Sequence, residues 1–302
     1  MVPVDSHRAR RRALSMPADV RVSVIVPFHN SARHFAELLQ SIACQELSEP
    51  FEVVAVDNHS RDQSRAIVQR FATSMSIRLV DAPRIANGSY ARNVGARHAV
   101  GTALVFADSD DALAPGYLQA MVDALTSSGF ATSRVECRSL NPGWVRRAHS
   151  CWHERGLEVV YGFLPSTGGN VAVRRDVFES VGGYPEDFDA CQDTVFAWRV
   201  QLAGTPLTFA GDALYRYRYR DSLRALFSQC RNWGRADAQL FSTFRGYGMP
   251  ARSLSQSARD WRAVVSAFFL ARSRGDLAGL MTRLGYCVGR LTGSIRFRVR
   301  YF

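Results

Sequence analysis

An α/β fold, with a mostly parallel sheet covered by helices on both faces, is the class this sequence predicts, and three observations predict it. Apolar, largely β-branched runs recur at residues 22–26, 53–56, 77–80 and 103–107. Helical periodicities lie between them, and such alternation gives parallel strands joined by crossover helices. Carboxylates gather where runs end, at Asp57 and at Asp108-Ser109-Asp110-Asp111. In sheets of this kind ligands bind at that carboxyl edge.

The elements follow in order. Val22–Val26 is the first strand and leads into Pro27-Phe28-His29-Asn30. After Asn30-Ser31, the residues Phe35, Leu38, Leu39 and Ile42 recur at i, i+3, i+4 and i+7, the spacing of an amphipathic helix. Val53–Val56 is the second strand. Ser60-Arg61-Asp62-Gln63 has the form of a capping box and predicts a helix carrying Ile67, Val68 and Phe71. Ile77–Val80 and Ala103–Ala107 are the third and fourth strands. Pro115 suits the first position of a helix bearing Tyr117, Leu118, Met121, Val122 and Leu125. Past residue 130 the pattern loosens. Gly168-Gly169-Asn170 precedes an apolar Val171-Ala172-Val173, and a short helix over Asp176–Val181 stops at Gly182-Gly183, a common C-cap signal. Asp193–Ala203 reads as a helix closed by Gly204, and beyond Tyr219 the chain is helical and arginine-rich. The organisation expected is a basic tail at 1–20, an α/β domain at 21–222 and an arginine-rich helical extension at 223–302.

With 47% hydrophobic and 22% charged residues, the 302-residue chain has the composition of a globular protein. Its formal charge of +11 sits at the ends: residues 1–21 carry five Arg and two Asp, and residues 251–302 carry ten Arg and two Asp. The ends, rather than the fold, therefore call for an anionic partner. There is no lysine, so all 38 basic residues are arginine and every side-chain contact to a phosphate falls to a guanidinium or a neutral donor. Codon bias in a GC-rich genome explains that usage without a functional cause. Six scattered cysteines with no C-x-x-C pair suggest neither a zinc site nor a disulfide framework, and fit a reducing, cytoplasmic home. No apolar stretch follows Arg8–Arg12, which speaks against a secretory leader. The apolar run 263–271 is bracketed by Arg262 and Arg272 and is shorter than the ~20 residues that span a bilayer.

Three carboxylates in four residues repel one another unless a cation sits among them. Hard oxygen ligands favour Mg²⁺ or Mn²⁺, ions that share their coordination with substrate phosphates. The plainer alternative is an acidic turn ahead of the next helix. The first strand ends without G-x-G-x-x-G, which argues against a dinucleotide site. The absence of lysine excludes a P-loop NTPase, and it disfavours a sugar-phosphate nucleotidyltransferase, which normally needs a catalytic lysine and a glycine-rich first loop.

The ordered set Val24-Ile25-Val26-Pro27-Phe28-His29-Asn30, Val56-Asp57-Asn58-His59-Ser60-Arg61-Asp62, Asp108-Ser109-Asp110-Asp111 and Gln192-Asp193 resembles family 2 glycosyltransferases with the GT-A fold and its Rossmann-like sheet. Ala91-Arg92-Asn93-Val94-Gly95 and Gly169-Asn170-Val171-Ala172-Val173-Arg174-Arg175 extend the likeness, which runs from about residue 20 to about 220. The resemblance implies inverting transfer of a sugar from a nucleoside diphosphate to an acceptor hydroxyl. Pro27, Asn30, Asp57, Asn58 and Arg92 are implied to bind the donor nucleotide, with orientation of Asp110 or a solvated helical position as the alternatives for Arg92. Asp108 and Asp110, a DxD-type pair, are implied to meet ribose and metal, with Asp111 an alternative or additional ligand. Many members carry a second acid where this chain has Asn58, so a preference for uracil does not carry over. Many also carry a late histidine, but all seven histidines here precede residue 160. The corresponding stretch is Tyr215-Arg216-Tyr217-Arg218-Tyr219-Arg220, from which Arg216 or Arg218 is expected at the diphosphate, unless water completes the metal shell. A strand with alternating exposed arginines explains the same pattern.

Asp193 is the expected general base, since the acceptor hydroxyl must lose its proton as it attacks. An N-cap for the following helix is its structural alternative, as an Asx-type turn is for Asp57. Asn170 and Gln192 are expected near the acceptor or diphosphate. Aromatic residues interleave with the ten arginines of the C-terminal stretch, a composition suited to peripheral contact with an anionic membrane and hence to a lipid-linked or cell-envelope glycan acceptor. A helical cap with an arginine-rich solvent face accounts for that stretch as well. Nucleic-acid binding has no other support in the sequence. The rival from another class is a relative that binds a nucleotide sugar or glycan without turnover.

Overall fold

A computed structural model describes residues 22–302, so the basic tail assigned to 1–20 lies outside the described residues. The first half contains β1 (Val22–Phe28), α1 (Phe35–Ala43), β2 (Phe51–Asp57), α2 (Ser64–Phe71), β3 (Ile77–Asp81), α3 (Gly88–His98), β4 (Ala103–Phe106), β5 (Ala112–Leu113), α4 (Tyr117–Ser128) and β6 (Phe130–Glu136). There follow α5 (Gly143–Arg146), β7 (Val159–Val160), β8 (Leu164–Pro165), β9 (Val171–Arg174), α6 (Arg175–Ser180), α7 (Gln192–Leu202) and β10 (Thr208–Arg216). Three helices close the chain: α8 (Leu223–Phe244), α9 (Leu254–Leu270) and α10 (Arg274–Arg296).

Eight strands form one sheet in the order β3-β2-β1-β4-β9-β6-β10-β5. The pairs β2/β3, β1/β2, β1/β4 and β6/β10 are parallel, while β9 runs antiparallel to β4 and β6, and β5 antiparallel to β10. Because successive side chains point to opposite faces, the apolar runs supply two cores at once. Val24, Val53 and Val105 meet α1, α2 and α4 on one face, while Ile25, Val54 and Phe106 meet α3, α6 and α7 on the other. That double burial is why these strands read as continuous apolar runs.

Two expected helix starts are corrected. Ser60 caps nothing: α2 begins at Ser64, and the Ser60 hydroxyl instead accepts from the Asn30 backbone N–H at 3.0 Å. Asp62 takes the Ser64 N–H at 3.0 Å and the Ala32 N–H at 2.9 Å, so the expected box is a clasp between the two strand ends. Pro115 precedes its helix, which starts at Tyr117 after Gly116 in the left-handed region (φ 78°). The expectation of no disulfide framework is also corrected, at one pair. Cys137, just past β6, is joined to Cys151, with Cα atoms 5.7 Å apart, and the bond ties the loop before Trp152 to the end of that strand.

Helices α8 and α10 cross with backbones in contact. A Cβ added to Gly289 lies 2.2 Å from the Arg231 carbonyl oxygen, and one added to Gly285 or Gly293 lies 2.7 Å from that of Phe227 or Arg235. A buried ion pair closes the same layer: Asp237 of α8 accepts from Arg290 Nε of α10 at 2.7 Å and from the Tyr161 hydroxyl at 2.6 Å. Gly289→Leu is expected to lower stability by about 1–3 kcal/mol, the usual cost of forcing atoms into a packed contact. The check is chemical denaturation, where a midpoint equal to that of the unaltered chain overturns the close crossing.

Candidate functional site

The carboxyl edge of β1, β2 and β4 opens into a cleft of about 630 Å³ lined by Pro27, His29, Asn30, Asn58, Arg92, Asp108 and Asp110, among others. Asn30, in the left-handed region (φ 50°), takes the Arg61 N–H on its side-chain oxygen at 2.8 Å and so clips the β1 end to the β2 end. The Asn58 amide nitrogen donates to the carbonyls of Ala82 and Ile85, each at 2.8 Å. Both of its hydrogens are thereby spent, and the group offers the cleft an acceptor only. The N–H beside a ring carbonyl in uracil, thymine or guanine matches that acceptor. Asp57 does not line the cleft. It takes the Ser60 N–H at 2.9 Å and Arg65 Nη1 at 2.6 Å, which is the Asx-type turn with a buttressing ion pair.

Beyond β4 the chain turns, the Asp111 N–H donating to the Asp108 carbonyl at 3.2 Å, and the three carboxylates diverge. Asp111 is fully buried, accepts the Arg218 backbone N–H at 2.7 Å and does not line the cleft. Burial first, then Asp110 and Asp108, pushes its carboxyl well up from the ordinary range. The expectation that Asp111 ligates metal therefore meets a side chain turned into the core. Asp110 faces the cleft, and burial raises its carboxyl, with Arg220 opposing and Asp108 adding to the rise. Arg220 Nη1 lies 3.1 Å from Asp110 Oδ2 on a side chain that is 56% exposed. Arg218 also lines the cleft, but its guanidinium is spent on the Asp110 carbonyl (2.8 Å), the Leu140 carbonyl (3.2 Å) and Glu37. Arg216 lies on β10, paired across the sheet with Glu136 and Ala112, and does not line the cleft. Of the arginines in this stretch, the one on the cleft with an exposed side chain and a single ion-pair partner is thus Arg220. Strand alternation did not single it out, because β10 ends at Arg216 and the residues beyond it leave the sheet.

Asp108 is shared. It lines the cleft and also a second cavity of about 730 Å³, whose walls include His149, Trp152, Gln192, Asp193, Tyr217 and Trp233. Arg92 of α3, itself buried, pairs with Asp108, sits 4.0 Å from Asp193 Oδ1 and lies over the Tyr184 ring at 5.2 Å. Burial opposes that charge, but Asp108 and Asp193 more than offset it and hold the guanidinium ionised. Asp193 is the second residue of α7, whose N-cap is Cys191 with φ 58°, so the aspartate is not the cap. Its Oδ1 has no hydrogen-bond partner among the described residues. Burial raises its carboxyl to about 6, against the lowering effect of Arg92 and with a further rise from Asp108. Near that value a carboxylate is well placed to take and return protons at neutral pH.

Asn170 does not reach either cavity. It is fully buried, with Nδ2 donating to Ser133 O at 3.2 Å and Oδ1 accepting from the Gly168 N–H at 3.1 Å. It shapes the loop that brings Gly169 against Asp108, where an added Cβ lies 2.2 Å from Asp108 Oδ2. Gln192 faces the second cavity while donating to Phe188 O at 3.1 Å. His149, stacked on Tyr219 with centroids 4.1 Å apart, is pushed down by burial to about 4 and is therefore neutral. His153 is a buried strut between Ser166 O and the Glu158 N–H. No group of three or more His, Cys, Asp or Glu side chains converges as a metal cage among the described residues.

The model of glycosyl transferase family 2 matches residues 23–182. Glycosyltransferase AglE of Haloferax volcanii is 29% identical over 201 residues, which cover 64% of this chain and 65% of that protein. Poly(ribitol-phosphate) beta-N-acetylglucosaminyltransferase TarS of Staphylococcus aureus is 26% identical over 209 residues, 66% of this chain and 35% of TarS. The chain thus spans less than two thirds of these relatives. Among solved structures, the mannosyltransferase PcManGT of Pyrobaculum calidifontis, in complex with GDP-Man and Mn²⁺, matches with a TM-score of 0.62 at 19% identity, covering 94% of this chain and 92% of that one. TarS 1-349 in complex with UDP-GlcNAc matches at 0.54 and 17% identity, covering 94% and 93%. At these identities the structural likeness establishes the fold.

Removing the shared cation tests this geometry directly. Arg92→Met is expected to raise the Asp193 carboxyl above about 6 and to lower stability by roughly 3–5 kcal/mol, as when one partner of a buried pair is lost. Carboxyl titration by NMR and denaturation read the two effects. An unmoved Asp193 overturns the coupling.

Proposed function

Because the chain belongs to glycosyl transferase family 2 and carries its GT-A fold, we propose that it is a metal-dependent inverting glycosyltransferase acting from a nucleoside diphosphate sugar on a glycan or lipid-linked acceptor of the cell envelope. One observation carries the reading: a polar cleft and an aromatic-walled cavity meet at Asp108, and Asp193 faces the cavity at that junction. A donor in the cleft and an acceptor in the cavity would meet there, the carboxylate on the acceptor side.

In this assignment Pro27 and Asn58 hold the base, Asn58 by accepting its ring N–H. Asp108, fixed by Arg92, orients the ribose and sugar. Asp110 fits a Mg²⁺ or Mn²⁺ ion, because its carboxylate faces the cleft and its present counter-ion, Arg220, is exposed enough to swing away. The rest of such an ion's shell falls to donor phosphate and water. When bound, the metal neutralises charge developing on the departing diphosphate. Arg220, released from Asp110, is then placed to pair with the diphosphate in the role expected of Arg216 or Arg218. Asp193 removes the proton from the acceptor hydroxyl as that oxygen attacks the anomeric carbon from the face opposite the leaving group. His149, neutral, and Trp152 give the acceptor a hydrogen-bonding atom and an apolar face. The chain's basic C-terminal helices support peripheral attachment to an anionic membrane, while the Cys137–Cys151 bond removes the cysteine argument for the cytoplasmic side.

A binding panel of UDP-, GDP- and dTDP-sugars with and without Mn²⁺ is the test. Metal-dependent binding of one donor, abolished in Asp110→Ala, is expected, and no binding of any donor by folded protein overturns the reading. Asp193→Asn is expected to keep donor affinity and lose about 10²–10⁴-fold in turnover. Since the base works ionised, kcat/KM is expected to rise about tenfold per pH unit up to about 6 and level off above it. That acid limb is absent from the residual activity of the Asn variant, and a limb that persists there assigns the base elsewhere.

A further inference from the structure

Helix α9 packs on α10, with Val264 of α9 against Leu280 and Cys287 of α10. Beside that packed stripe and round to the outer side, α9 is apolar and bare. Trp261, Val265, Phe268 and Phe269 recur at i, i+4, i+7 and i+8, and the last three and Leu270 are 54–71% exposed. Leu291 and Ile295 of α10 are exposed as well. An apolar face of this size on a folded chain marks an interaction site.

Charge decides what covers it. Residues 251–302 carry ten arginines and two aspartates. Asp260 is held by Arg252 and Arg290, and Asp276 caps α10 by accepting from Ser273. Arg262, on α9 itself, and Arg272, at the turn between the two helices, are exposed. Arg272 donates to the carbonyls of Phe269 and Ala271, which fixes its guanidinium beside the aromatic tip. A second copy laid on this face would bring the same arginines against these, and like charges facing each other are unfavourable. A surface that offers both apolar depth and negative charge satisfies the whole face.

We propose that the α9 face, tipped by Phe268, Phe269 and Leu270 and flanked by Arg262 and Arg272, is the site at which this protein seats on an anionic membrane leaflet. The helix lies in the interface and does not span: no helix of the described residues is long and apolar enough to cross a membrane. The inference deepens the membrane part of the proposed function by naming its surface. Through α10, whose Thr282, Tyr286 and Arg290 line the second cavity, it also sets the acceptor site beside the lipid.

The experiment is co-sedimentation of the full chain with vesicles of phosphatidylcholine alone or mixed with phosphatidylglycerol, with Trp fluorescence recorded in parallel. Binding to the mixed vesicles with a blue shift, weakened by salt, is expected. Phe268→Ser with Phe269→Ser is expected to reduce partitioning by about tenfold or more without loss of fold, since both side chains are exposed. Arg262→Gln with Arg272→Gln is expected to reduce the preference for the anionic lipid. Failure to bind either vesicle overturns the proposal. So does a dimer in sedimentation velocity that the Phe variant converts to monomer, which gives the face to a second copy. No donor sugar is present, so this result stands apart from the donor panel, and either can fail alone.

Discussion

One buried guanidinium holds the carboxyl edge of the sheet together. Arg92 stands between Asp108 and Asp193, and without it two carboxylates would share a poorly hydrated corner with no cation. Its place depends on how closely α3 approaches the sheet. Gly95, three residues on, lies so near Ile25 and Val56 that an added Cβ would be 2.5 Å from Ile25 Cγ2. Asn87 caps the helix by accepting the Tyr90 N–H at 3.1 Å, which fixes where the first turn begins. Helix start, glycine contact and guanidinium together place a positive charge one turn above β4.

The acidic run after β4 then resolves into three environments. Asp111 is drawn inward by a backbone N–H, Asp108 is held sideways by Arg92, and Asp110 is left facing the cleft with a movable partner. Repulsion within the cluster is relieved by divergence of the chain as well as by counter-charge. Asp111 is closed off from the cleft, Asp108 is tied to a buried cation, and Asp110 belongs to the ion pair most exposed to solvent. Permanent cations suit this arrangement, since a guanidinium stays charged when buried where an ammonium readily loses its proton.

Much of the sheet could be read directly because its strands are apolar on both faces and its helices carry i, i+3, i+4 stripes. Phe35, Leu38, Leu39 and Ile42 are all fully buried, as their spacing predicts. The antiparallel β9 was not assigned, because four residues inserted between β4 and β6 announce neither direction nor neighbour. Asp57 and Asn170 sit in stretches that resemble binding motifs, yet their side chains serve the turns that shape the site. Sequence gives their type, and only the local hydrogen-bond geometry separates support from contact. The link between Cys137 and Cys151 is decided by the return of a loop to the end of β6, information that a separation of 14 residues does not hold. Ser60 misled for a similar reason: its hydroxyl had a better partner across the strand ends than at the helix it precedes.

The glycine crossing of α8 and α10 has a mechanical meaning. Where two backbones touch with no side chain between them, neither helix can roll or slip without a clash. Helix α10 therefore behaves as a stiff bracket: one side bolted to α8, another forming cavity wall through Tyr286 and Arg290, a third turned outward with Leu291 and Ile295. Whatever fixes the outer side fixes the height and tilt of that wall as well. Reach into the cavity is then a matter of a constant offset from the outer surface, and a molecule entering from that side meets a wall of set depth.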